Sequence, residues 1–177
     1  MGYTTDFKGK FKVMLNGKAK ALDKETKDYL IKFNQTRRMK RKFPKNEYGV
    51  DGEFFVGGGG FMGQEDDKSV VDHNYPPSTQ PGLWCQWTPS ADGKYIQWDE
   101  GEKFYDYIVW LEYIMKNFLT PKGYSLEGVV HWQGEDEEDI GTIHATDGQV
   151  LTKNGVHAKS LLENSVKFIK EMAKKRK

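Results

Sequence analysis

A single cysteine, Cys85, stands among the 177 residues, so no disulfide can close within the chain and a fold stapled by bridges is excluded. One thiol fits a reducing compartment, and the cytoplasm is the expected location. Long apolar runs are missing too: nothing approaches the ~20 residues that a membrane span requires. Met1 to Asp6 lacks the basic start and apolar stretch of a signal peptide. Asp6 stands where a myristoylation signal has Ser or Thr, so neither a leader nor a lipid anchor is expected. An excess of one charge is also lacking, with 27 Lys and Arg against 26 Asp and Glu. The whole chain therefore has no field to draw it onto nucleic acid or a membrane surface, and neither is expected as a partner.

What is abundant is aromatic: 14% of the residues are Phe, Trp or Tyr, each a large apolar body for burial. At this length one core is expected. Between Phe7 and Leu15 the apolar residues Phe7, Phe11, Val13 and Leu15 take odd positions and lysines the even ones, the period of a half-buried strand. Asn16-Gly17 reads as a turn. Asp23 is placed to cap a helix from about Lys24 to about Thr36, with Leu22, Tyr29, Leu30 and Phe33 at helical spacing. Glu53 to Val56 reads as a short strand broken by Gly57 to Gly60, and the proline-bearing stretch Gln64 to Gly82 reads as irregular.

Leu83 to Thr88 and Tyr95 to Trp98 read as an aromatic hairpin, with Leu83, Cys85 and Trp87 on one face and Trp84 and Gln86 on the other. Asp99-Glu100-Gly101-Glu102 has the form of a capping box, opening a helix whose stripe is Phe104, Ile108, Leu111, Met115 and Phe118 and which Thr120-Pro121 ends. Leu126 to Trp132, Ile140 to Ala145 and Val150 to Thr152 suggest three strands, the last two joined at Asp147-Gly148, and Glu135 to Asp139 reads as a solvated loop. Leu161, Leu162, Val166, Ile169 and Met172 give an amphipathic terminal helix. The expected fold is α+β, a mainly antiparallel sheet with two or three helices packed on one side. Residues 1–155 form the expected domain, and 156–177 a helix packed on it or on a partner.

The candidate motifs compete with plainer readings. Gly58, Gly60 and Gly63 fit the letters of a dinucleotide fingerprint, but Gln64 to Lys68 offers carboxylates where a helix N-terminus should meet the pyrophosphate. A glycine loop is the better reading. Arg37-Arg38-Met39-Lys40-Arg41-Lys42 is the densest positive run, suited to phosphate or carboxylate, against the alternative of a solvated helix end. The tryptophans 84, 87, 98, 110 and 132, with Tyr75 and Tyr105, line either a stacking cleft or the core. His73, His131, His144 and His157 lack ligand spacing, so no metal or cofactor is expected. Cys85 reads as a buried thiol, and Glu100 and Glu102 as capping groups.

The strings Tyr3-Thr4-Thr5-Asp6-Phe7, Arg37-Arg38-Met39, Tyr75-Pro76-Pro77-Ser78-Thr79-Gln80-Pro81-Gly82-Leu83-Trp84-Cys85-Gln86-Trp87 and Gly101-Glu102-Lys103-Phe104-Tyr105 are long and specific. Over Tyr3 to about Val150 the chain resembles a family of uncharacterised bacterial and phage proteins. The resemblance implies no activity, though a phage or mobile-element setting brings interference with host defence into view.

The leading functional expectation is a non-catalytic binding protein for a small anionic, nucleotide-like ligand. In it Arg37, Arg38 and Lys103 offset charge, Trp84 or Trp98 stacks on a ring, and Gln86 reads a polar edge. The alternative is an inhibitor or adaptor that binds a host protein through an aromatic patch. A third reading is an enzyme using Glu102 or Cys85, although no catalytic set emerges. The terminal helix offers a route to a homo-oligomer.

Overall fold

Asn16-Gly17 forms the turn read from the sequence, both residues adopting the left-handed backbone that Asn and Gly tolerate. In the computed structural model, which describes residues 2–42 and 68–154, this turn joins β2 (Phe11–Leu15) to β3 (Lys18–Ala19). The stretch expected as one strand is two, because β1 (Thr5–Gly9) precedes β2 with Lys10 between them. Both lie antiparallel along the same long partner, β8 (Tyr124–Gly134), Thr5 opposite Gly134 at one end and Leu15 opposite Tyr124 at the other. The odd-position residues stay on one face throughout, so the period survives the break.

Further strands are β4 (Lys40–Arg41), β5 (Val70–Asp72), β6 (Trp87–Pro89), β7 (Tyr95–Trp98), β9 (Ile140–Thr146) and β10 (Gln149–Asn154). Eight strands make one antiparallel sheet in the order β10-β9-β8-β2-β7-β6, with β1 on β8 and β3 on β2. β4 and β5 make a separate pair, so the stretch expected to be irregular carries a short strand.

The helix α1 (Lys24–Asn34) begins where Asp23 accepts from the Thr26 amide at 2.8 Å, and Tyr124 donates its hydroxyl to the same carboxylate. Thr26 first, and the Tyr124 hydroxyl behind it, hold the Asp23 carboxyl below its usual range. The helix α2 (Tyr107–Ile114) continues as a π-helical turn over Met115–Leu119 and a 3₁₀ turn over Thr120–Lys122. The side chain of Asn117 donates to the Tyr113 carbonyl in this wider turn.

The capping box is not formed. Asp99 accepts from Gly101 in a local turn and from Asn34, while Glu100, Lys103 and Asp106 adopt left-handed backbone, so α2 starts only at Tyr107. Tertiary bonds override the local signal here: the Glu102 carbonyl accepts from Gln86, and the Gly101 carbonyl from Trp98. Phe104 is still buried, but as part of this turn rather than of a helix.

One core lies between the sheet and the helices. Phe11, Val13, Ile96, Leu126, Val130 and Ile143 supply its sheet side, Leu30 and Phe33 come from α1, and Trp110, Leu111 and Ile114 from α2. Packed against this core, Phe7 meets the rings of Trp87, Trp98, Phe104 and Tyr107 edge-on, with centroids 4.8 to 5.7 Å apart. Trp132 lies over Gly141, where an added Cβ would come within 2.2 Å of its ring. The loop 135–139 is not simply solvated, because Asp139 accepts from Trp132 and from the Tyr3 hydroxyl, which ties it to the N-terminal segment. Among the described residues no helix is long and apolar enough to cross a membrane. The expected strand at Glu53 to Val56, the glycines 57–63 and the terminal helix lie outside the described residues.

Candidate functional site

The basic run divides by side-chain direction. Arg37 donates through Nε and Nη2 to the His73 carbonyl, at 3.2 and 2.9 Å. Arg38 is wholly buried, its guanidinium 3.6 Å from the centre of the Phe33 ring and 4.9 Å from that of Trp110. It donates to the carbonyls of Thr36 and Phe33, closing the end of α1 from inside. Arg41 is buried as well and donates to the Ser69 hydroxyl. A solvated helix end is therefore the wrong description: two of the three arginines are internal, and one is packed between aromatic faces.

Gln86 and Trp98 do come together, but with each other. Gln86 accepts from the Trp98 indole at 3.0 Å and donates to the Glu102 carbonyl at 2.8 Å, and only 6% of it is exposed. Cys85, Gln86 and Trp87 are buried in succession, so the expected alternation across 83–88 fails and the strand begins only at Trp87. Asn34 explains why, since it donates to the Cys85 carbonyl and to Asp99, stitching the end of α1 to both arms of the hairpin region. Trp84 is half-buried next to Leu83, whose carbonyl accepts from the Arg38 amide. Lys103 lies over Gly2, beside Tyr105. Of the six expected site residues, Arg37, Arg38, Gln86 and Trp98 thus make hydrogen bonds within the fold.

Cys85 is fully buried, and burial first of all pushes its thiol up to about 12, with Arg38 nearby acting the other way. A thiol held protonated is a poor nucleophile. Of the groups considered for catalysis this removes Cys85 on physical grounds.

A concave feature lies elsewhere on the described surface. Where β3 and β7 diverge along β2, a groove of about 200 Å³ is lined by Lys12, Lys20 and Lys94, with Tyr95, Val13, Ala19 and Ala21 between them. Its floor is backbone: the Val13 amide donates to the Lys94 carbonyl, and the Val13 carbonyl accepts from Lys20. Lys12 and Tyr95 are paired across β2 and β7, pointing to the face of the sheet away from the helices. Lys10 sits 3.9 Å above the Tyr95 ring. Two carboxylates temper this charge, Glu127 opposite Lys12 and Asp92 3.5 Å from Lys94. Part of the signal was in the sequence as Lys8, Lys10 and Lys12, an outward row visible beside the apolar one. What no local pattern contained was Tyr95, brought across from the next hairpin.

Comparison of the chain with protein families, with curated proteins and with solved structures finds no match.

Proposed function

We propose that the protein is a non-catalytic binding protein for a small anionic ligand, and that the ligand sits in the groove between β2, β3 and β7. The observation that carries this reading is a concavity beside Lys12 and Tyr95, with the Lys10 ammonium 3.9 Å from the Tyr95 ring and a floor made by the backbone of Val13, Lys20 and Lys94. Ammonium groups on flexible stems suit phosphate or carboxylate as point charges, and the tyrosine ring offers a flat apolar wall to a base or another planar group. The groove volume admits a nucleotide's charged end and part of its ring, with the remainder over the open sheet. The basic run at Arg37 serves the fold in this reading.

The test is a thermal-shift screen of nucleoside mono-, di- and triphosphates and cyclic nucleotides, followed by titration calorimetry. A ligand that binds only the folded state raises stability by RT ln(1 + [L]/Kd). The double variant Lys10→Glu with Lys12→Glu is expected to weaken binding of the best hit at least tenfold, and Arg37→Ala to leave it unchanged. Loss of binding on Arg37→Ala or Trp84→Ala, with the lysine pair silent, would move the site to the basic run and end the groove reading.

A further inference from the structure

The groove occupies one corner of the open sheet face, and the opposite corner is also basic. One row crosses four strands there: Lys8 on β1 faces His131 on β8, His131 faces Thr142 on β9, and Thr142 faces Lys153 on β10. His144, one step along β9, shares a 2.9 Å hydrogen bond with the Thr142 hydroxyl. Lys8 and Lys153 are exposed, and both imidazoles are half-buried. From the groove to this row the face spans roughly 20 Å, taking ~4.8 Å between strands and ~3.3 Å per residue along them. A ligand that fills the groove does not reach the row.

We propose that this face binds single-stranded nucleic acid, whose backbone runs from Lys12 and Lys10 beside the groove to Lys8 and Lys153. A chain of phosphates is a ligand that meets both basic corners at once. A net charge of +1 for the whole chain does not describe this face: Lys8, Lys10, Lys12 and Lys153 stand on it with Asp6 and Glu127 as acids, and the acidic loop 135–139 is tied to Tyr3 at the sheet end. A flat sheet bearing Tyr95 and two imidazoles also offers rings to unstacked bases, which a duplex keeps inside.

Burial first, and then the neighbouring cations, hold both histidines below their usual range: Lys8 acts on His131, and Lys153 and His131 act on His144. The groups facing them are Lys8 on β1, Glu127 on β8 and Lys153 on β10, with Asp6 a step further along β1. The rings are therefore neutral at pH 7.5 and add charge to the face only below the usual histidine range.

The experiment is fluorescence anisotropy of a labelled 15-mer oligothymidylate with the full-length protein, against a 15-base-pair duplex. The expected slope of log affinity on log salt is about −3, from four or five phosphate contacts at ~0.7 each, so binding weakens roughly sixtyfold between 50 and 200 mM. Lys8→Ala with Lys153→Ala should reduce the slope by about 1.4, and Lys116→Ala, on the helix side, by nothing. Because that pair leaves the groove intact, its effect separates this proposal from the small-ligand reading. Failure to bind at 50 mM salt, equal affinity for the duplex, or a slope indifferent to Lys8 and Lys153 would each overturn it.

Discussion

At the scale of single residues, the chain shows how far burial can reverse what a letter suggests. Arg38 carries a charge that in water needs no company, yet here it stacks on Phe33 and Trp110 and supplies donors to two carbonyls at the end of α1. A buried cation is tolerated where hydrogen bonds and ring faces offset its lost solvent, and those carbonyls need donors of their own. Cys85 illustrates the other outcome, a group that stays neutral because its charged form cannot be solvated. Its folded value of about 12 lies above the ordinary 9.0, so the folded state holds this proton more tightly than the unfolded chain does. The sign follows: the contribution to stability is complete below pH 9 and is lost as pH rises from 9 toward 12, where the unfolded chain alone gains a thiolate. Tyr107, pushed from 10.0 to about 12 by burial and then by Asp139, adds loss in the same direction. Urea midpoints measured from pH 8 to 11 should therefore fall, and Cys85→Ala should flatten the part that begins near pH 9. A midpoint that holds steady across this range would contradict the buried thiol.

At the scale of elements, packing decides more than propensity. Leu111 is fully buried in α2, in the middle of the stripe that begins at Phe104. Leu111→Ala is expected to cost about 2 to 5 kcal/mol, the transfer term plus a cavity left between helix and sheet. Denaturant melts read by tryptophan fluorescence check this, and a loss below about 0.5 kcal/mol would mean that the helix presents another face. The elements legible in the sequence were those whose signals are local. Asp23 capped its helix as expected, Asn16-Gly17 and Asp147-Gly148 turned where turns were expected, and β8, β9 and β10 overlap the three strands read from alternating residues. The α+β class followed from these. Illegible were the places where a distant partner overrules a neighbour. Gln86 claims the Glu102 carbonyl and delays α2, and Asn34 claims the Cys85 carbonyl and shortens β6. The candidate site was less legible for the same reason: a run of arginines looks alike whether it points out or in, whereas a groove between β2, β3 and β7 exists only once the strands have paired.

At the scale of the whole molecule, the first strand joins the sheet by contacts with residues far along the chain. β1 has β8 as its partner, with Phe7 facing Trp132 across 125 positions, and the loop at 135–139 is tied back to Tyr3 and Thr4. Such pairing is slow to form, because the loop must close before its contacts reward it. Phe7 is the side chain through which β1 joins the core, meeting four rings at once. It is only partly buried, so Phe7→Ala should cost about 2 to 3 kcal/mol, less than the ~3 to 5 of a fully enclosed phenylalanine. In a chain of this length that lowers the melting temperature by roughly 5 to 10 °C. The loss should appear as a single cooperative transition moved down, since Trp87, Trp98 and Phe104 belong to the hairpin and the turn before α2 and lose the same neighbour together. Calorimetry of the variant distinguishes this from a strand that merely frays. Were β1 an appendage, the main transition would stay in place, and protection of the β8 amides from hydrogen exchange would fall only beside residues 130–134.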